Sequence, residues 1–154
     1  MRVLHLALVA TVFAGAANAA CSDSRLELRG DWGTARFRVE IADDPQERAT
    51  GLMNREQMSP AAGMLFVYET PQRVAFWMRN TLIPLDMVFM DETGVVRRVH
   101  DNAVPLDETP IPGGNDIQYV LEINGGMAEQ IGIDVGSQMR HPVIAPDIAA
   151  WPCD

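Results

Sequence analysis

In Phe76-Trp77-Met78-Arg79-Asn80-Thr81-Leu82-Ile83-Pro84-Leu85-Asp86-Met87-Val88-Phe89-Met90, an arginine, an asparagine and an aspartate interrupt the densest apolar stretch beyond the first 20 residues. A carboxylate among apolar neighbours must find a donor or give up its charge, because an unpaired buried charge is strongly unfavourable. Arg79 and Asn80 are the nearest donors along the chain. One reading is a binding site: Trp77 stacks on a small polar or carbohydrate-like ligand, and Arg79, Asn80, Asp86 and His100 fix its polar groups. The other is architectural, with Asp86 satisfying backbone amides or Arg79 while Trp77 fills the core.

Catalysis needs more than this. Asp86 with His100 or Glu122 could do acid–base work, and two carboxylates about 5–10 Å apart are the hydrolytic pair of glycosidases. No Ser-His-Asp or Cys-His order with a local nucleophile motif accompanies them. Metal chemistry is also thinly supplied. Met139-Arg140-His141 puts a thioether and an imidazole on one strand face, a soft pair suited to Cu(I). Methionine is also a common core filler, and Met53, Met64, Met78 and Met87 fall at core-like positions. No zinc spacing and no phosphate-cradling glycine motif is present, so no metal and no cofactor are expected.

The elements that must hold these residues read as short strands. Residues 75–78 and 85–90 alternate with a period of two, with Leu85, Met87 and Phe89 on one face and Asp86, Val88 and Met90 on the other. Residues 26–30 and 35–42 form a hairpin across Asp31-Trp32-Gly33-Thr34. Asp44-Pro45-Gln46-Glu47 is a helix start, and Gly51 stops that helix after seven to nine residues. Residues 63–68 are apolar throughout, as in a strand buried on both faces, and Glu69-Thr70-Pro71-Gln72 turns the chain. Residues 95–100 make a peripheral strand. Residues 103–116, with Pro105, Pro110, Pro112, Gly113 and Gly114, are expected to be a structureless, lid-like loop. A strand over 117–123, a helix capped by Asn124 and stopped by Gly132, and a last strand within 133–141 complete the set. Seven or more short strands with two short helices predict a mainly β sandwich or barrel, with α+β as the alternative.

Residues 1–19 read as an export signal: Arg2, an apolar run and Ala17-Asn18-Ala19 as the cleavage site. Residues 20–154 are then one β-rich domain of about 135 residues, enough for a single core. Its location would be periplasmic or secreted, without membrane insertion after cleavage. Cys21 and Cys153 are best paired as a disulfide in an exported chain, which in the chain-entropy model contributes up to roughly 4–5 kcal/mol. Lipidation of Cys21 is the alternative, although Asn18-Ala19-Ala20 lacks the aliphatic residue expected three positions upstream. The net charge is −9 and every basic residue is arginine. That balance opposes nucleic acid and anionic membrane as partners.

Several strings together resemble the prokaryotic domain of unknown function 192 family. They are Val39-Glu40-Ile41-Ala42, Glu47-Arg48-Ala49-Thr50-Gly51-Leu52-Met53, Gly63-Met64-Leu65-Phe66, the run from Phe76 to Asp86, His100-Asp101-Asn102-Ala103-Val104-Pro105, Tyr119-Val120-Leu121-Glu122-Ile123-Asn124 and Ile131-Gly132-Ile133. The resemblance covers residues 36–140, with Ser137 standing where the family usually has an acidic residue. It implies a compact, jelly-roll-like β fold and no particular activity. The leading functional expectation is a non-catalytic module for a small polar ligand or saccharide. A hydrolase using Asp86 and a structural or partner-binding envelope protein are the alternatives.

Overall fold

The computed structural model describes residues 21–153. The expected export signal lies outside the described residues. In chain order the elements are β1 (Arg25–Gly30), β2 (Gly33–Ala42), α1 (Pro45–Thr50), β3 (Ala62–Phe76), β4 (Leu85–Met90), β5 (Val96–Ala103), β6 (Ile111–Asn124), α2 (Met127–Ile131) and β7 (Gln138–Arg140). The strands form one seven-stranded sheet in the order β5-β4-β6-β3-β2-β1-β7. All pairings are antiparallel except β2 with β3, which run parallel with α1 in their connection. The mainly β architecture with two short helices is therefore observed, as a single sheet curled into a half-barrel.

Curling gives the sheet two apolar faces. Leu26, Leu28, Phe37, Val39, Leu65, Val88, Met90, Leu121 and Ile123 pack into one core cluster with Ala128 of α2. Met64, Phe66, Leu85, Met87, Phe89 and Val120 pack into a second, closed by Leu52, Met78 and Ala103. Strand alternation assigns each side chain to its face, so β4 feeds Leu85, Met87 and Phe89 to one cluster and Val88 and Met90 to the other. All six residues of β4 are consequently buried.

Two stretches expected to be irregular are paired strand. The turn expected at 69–72 and the loop at 103–116 are replaced by the long strands β3 and β6, which pair along Val67↔Tyr119 to Phe76↔Ile111 with register shifts. Bulges are what let Pro71 and Pro112 sit in the ladder without breaking it. Gly113 is required by packing: a Cβ there would lie 2.3 Å from the Phe89 ring and 2.6 Å from Val74. Only residues 104–110 remain a loop between β5 and β6.

Helix α1 is six residues long, shorter than the seven to nine expected, because Gly51 ends it at φ 47°. Its start follows the sequence signal: Asp44 accepts from the amides of Gln46 and Glu47 at 2.8 Å, and Glu47 reaches back to the Asp44 amide. Helix α2 is not capped by Asn124, which is the last residue of β6; its N-cap is Gly126, in the left-handed region at φ 82°.

Cys21 and Cys153 form a disulfide that spans 132 residues of sequence. The sulfur that a lipid on Cys21 would occupy is thereby taken. Trp151 brings the tail back by lying between Arg29 and Arg140, whose guanidinium carbons are 4.5 and 4.8 Å from its ring centroid.

Candidate functional site

The two carboxyls singled out from the sequence occupy opposite faces of the central strands. Asp86 is fully buried on β4. One oxygen accepts from the amides of Asn102 and Gly126 at 2.8 Å each, and the other accepts from the amide of Ala128 at 2.7 Å. Gly126 and Ala128 are the N-cap and second residue of α2, whose first-turn amides have no partner within the helix. Asp86 thus caps a helix from a neighbouring strand and ties it to β5. The charge favours the helix N-terminus for the same reason. Enclosed in this way, Asp86 has no route to a ligand.

Glu122 lies one strand over, on β6, opposite Met64 of β3 and Met87 of β4. Met87 belongs to the second cluster and Val88 to the first, so Glu122 and Asp86 point to opposite faces and share no cleft. Glu122 is 5% exposed, and burial alone pushes its carboxyl up to about 8. At neutral pH it is therefore mostly protonated, a hydrogen-bond donor rather than a charge.

Glu122 lines a pocket of about 160 Å³, together with Arg48, Tyr68, Trp77, Thr81 and Phe66. The end of β3 delivers Trp77, which is 46% exposed. Arg48 comes from the last turn of α1. It donates to the carbonyls of Val67 and Asp43, meets Glu69 at 3.3 Å and stacks 5.0 Å from the Tyr68 ring centroid. Burial raises the Tyr68 phenol above its ordinary value; Arg48 opposes that shift and Glu122 adds to it. The pocket thus combines a neutral carboxyl, a half-exposed indole and a guanidinium held by backbone carbonyls.

Of the residues expected from sequence, Trp77 and Glu122 meet in this pocket. Arg79 stands outside it, 5.4 Å over the Trp77 ring and 3.5 Å from Glu108. Asn80 serves the turn: it adopts φ 53°, and its carbonyl accepts the Asn54 amide at 2.8 Å. His100 lies on β5, opposite Met87, two strands from Glu122 or about 10 Å at ordinary strand spacing. Asp86, His100 and Glu122 are therefore not brought together as a catalytic set. His141, weighed with Met139 for copper, is buried: one ring nitrogen lies 2.9 Å from the Asp23 carbonyl and the other accepts the Val143 amide at 3.1 Å. Ser137 is also buried, accepting from the Trp32 indole at 3.0 Å and donating to Asp134 at 3.0 Å.

Arg48, Tyr68 and Thr81 were missed as site residues. Arg48 and Thr81 both fall within the strings that carry the family resemblance, so a signal was present for them. Tyr68 looked like the end of a core strand.

The rim is apolar. Trp77, Leu82, Val104 and Leu106 are 45–63% exposed, and the loop 104–110 is bonded to the 77–82 turn by Met78 N to Asp107 O and Leu106 N to Thr81 O. Leu106 holds φ 65°, a conformation that a branched apolar residue rarely adopts.

A family model described as DUF192, Uncharacterized ACR, matches residues 26–141. Among solved structures, a protein of unknown function from Novosphingobium aromaticivorans DSM 12444 is 42% identical with a TM-score of 0.73, covering 75% of this chain and 82% of its own. A protein of Sinorhizobium meliloti 1021, described as a "putative transcription regulator", is 39% identical with a TM-score of 0.74, covering 79% of this chain and 95% of its own. No curated protein matches the chain significantly.

Proposed function

The chain belongs to the DUF192 family, and we propose that it is an exported, non-catalytic binding module whose ligand is a small polar, carbohydrate-like molecule seated at Trp77 and Glu122. The observation that carries the proposal is Glu122: a carboxyl kept protonated by burial, facing a pocket beside a half-exposed indole. A fold gains nothing from leaving a carboxyl among methionines unless that group meets something. The pocket of about 160 Å³ is below the roughly 300–1,000 Å³ of sites for drug-sized ligands, which suits one ring or one polar head group. The export reading rests on residues 1–19 and agrees with a disulfide, which persists in oxidising compartments. The description of the Sinorhizobium meliloti protein suggests a DNA-linked role, but a net charge of −9 opposes a polyphosphate partner for this chain.

Titration of the purified chain with a panel of neutral monosaccharides and polyols, followed by Trp fluorescence and calorimetry, tests the proposal. Saturable binding is expected to disappear in Trp77→Ala and to weaken as pH rises through about 8, where Glu122 loses the proton it donates. Absence of binding across the panel, or equal binding by Trp77→Ala, overturns it.

A further inference from the structure

A basic patch lies on the β1–β2 side of the sheet. In an acidic protein, the outward faces of β7, β1 and β2 carry Arg140, Arg29, Arg25, Arg36 and Arg38 against only Glu27 and Glu40. Both carboxylates are already engaged. Glu27 takes Arg36 on one oxygen at 2.6 Å and Arg140 on the other at 2.7 Å. Glu40 is held in a bidentate pair by Arg55, at 2.5 and 2.6 Å. Arg29 bonds Gln138 and stacks on Trp151. That leaves Arg25 and Arg38 with no acidic partner among the described residues.

These two arginines are directly opposite each other in the β1–β2 register. The Val39 amide bonds the Ser24 carbonyl, so Ser24 and Val39 are the hydrogen-bonded pair and Arg25 and Arg38 the non-bonded pair next to it. Non-bonded pairs in antiparallel sheets bring their Cα atoms closest, to about 4.5 Å, and like charges facing each other there are destabilising. The two side chains border a groove of about 530 Å³ that also exposes Ser24 and Ser59, and both arginines are exposed.

We propose that this groove is an anion site for a phosphate group, with the guanidiniums of Arg25 and Arg38 closing on it as two forks and the hydroxyl of Ser59 completing its shell. A phosphate matches the site because its several oxygens can accept from two planar guanidiniums at once and cancel their repulsion. A hydroxyl can donate to a remaining oxygen. The site is separate from the Trp77 pocket, and the two have no lining residue in common.

Calorimetric titration of the full chain at low ionic strength with inorganic phosphate, with glycerol 3-phosphate and with glycerol tests the site. Saturable binding of a phosphate species is expected, absent for glycerol and weakened at least tenfold in Arg25→Gln and in Arg38→Gln. Arg98→Gln, an exposed arginine outside the groove, should bind as wild type does. Tighter binding of the ester than of free phosphate marks a phosphorylated small molecule as the occupant; equal or weaker binding of the ester marks free phosphate. Melting adds an independent readout. Phosphate should raise the wild-type midpoint and leave the double variant, Arg25→Gln with Arg38→Gln, unmoved, whereas without phosphate each single variant should melt at or above wild type because the repulsion is relieved. Undiminished binding in the double variant, or no saturable binding of either phosphate species by wild type, overturns the proposal.

Discussion

Asp86 and Glu122 are the same chemistry put to opposite uses on adjacent strands. Both are buried carboxyls flanked by apolar neighbours in sequence, and both sit in the most enclosed part of the sheet. Asp86 is surrounded by amides that a helix start and a strand end leave without partners, so its charge is an asset to the fold. Glu122 is surrounded by Met64, Met87 and Phe66 and by a small opening, so its charge is a burden and it keeps its proton. The difference teaches that burial of a polar group does not identify a site. Glu122 differs from Asp86 in being held up by burial rather than by backbone amides, and in lining a small pocket.

The largest effect should come from Asp86→Asn. Asparagine has one acceptor oxygen, and its amide would face the Ala128 N–H as donor against donor. Loss of charge-assisted bonds to buried amides costs about 2–4 kcal/mol in total. Thermal melts at neutral pH should show a fall of about 10 °C for a domain of this size. A midpoint at or above wild type would break the comparison by making Asp86 as dispensable as a pocket group.

Glu122→Gln should act in the opposite direction, and increasingly so as pH rises. The folded state holds this proton from the ordinary value of 4.5 up to about 8, while the unfolded chain has released it. Native protein binds more protons over that window, so stability falls as pH rises through it. Gln does not ionise. The variant should match wild type near pH 5 and exceed it by about 1–3 kcal/mol near pH 9. Parallel pH–stability curves for the two proteins would show that Glu122 finds a partner in the folded state.

Trp77→Ala should be nearly silent in stability, within about 1 kcal/mol, because a half-exposed side chain contributes little burial. A destabilisation of the size expected for core aromatics, about 3–5 kcal/mol, would make Trp77 a packing residue and remove the rim from the pocket.

The smallest expected effect concerns His141. Its imidazole is held below its ordinary value of 6.5 by burial, against the opposing pull of the Asp23 carbonyl and carboxylate. The unfolded chain gains a proton below pH 6.5 that the native state does not, so this group removes stability as pH falls. In a Glu122→Gln background, where the larger and opposite slope is gone, His141→Gln should flatten the decline between pH 6.5 and 5. An unchanged slope would place that decline elsewhere.

Sequence alone determined the alternation that makes β4 a two-faced strand, the capping box that starts α1, the pairing of the two cysteines and the family. Each of these depends on residues near one another in the chain or, for the cysteines, on there being only two. Backbone context misled where long-range packing intervened. Pro112, Gly113 and Gly114 look like a loop until Phe89 and Val74 are seen to demand a residue without a side chain at Gly113. Likewise Asn124 looks like the cap of α2 because the true cap, Asp86, comes from 40 residues away. The candidate site followed the same division. Trp77 and Glu122 could be named from the chain, but only the sheet order β4-β6-β3, with α1 folded over its end, put Arg48 and Tyr68 beside them and turned Asp86 to the other face. A side chain's face follows from local alternation, whereas what meets it there depends on which strands become neighbours.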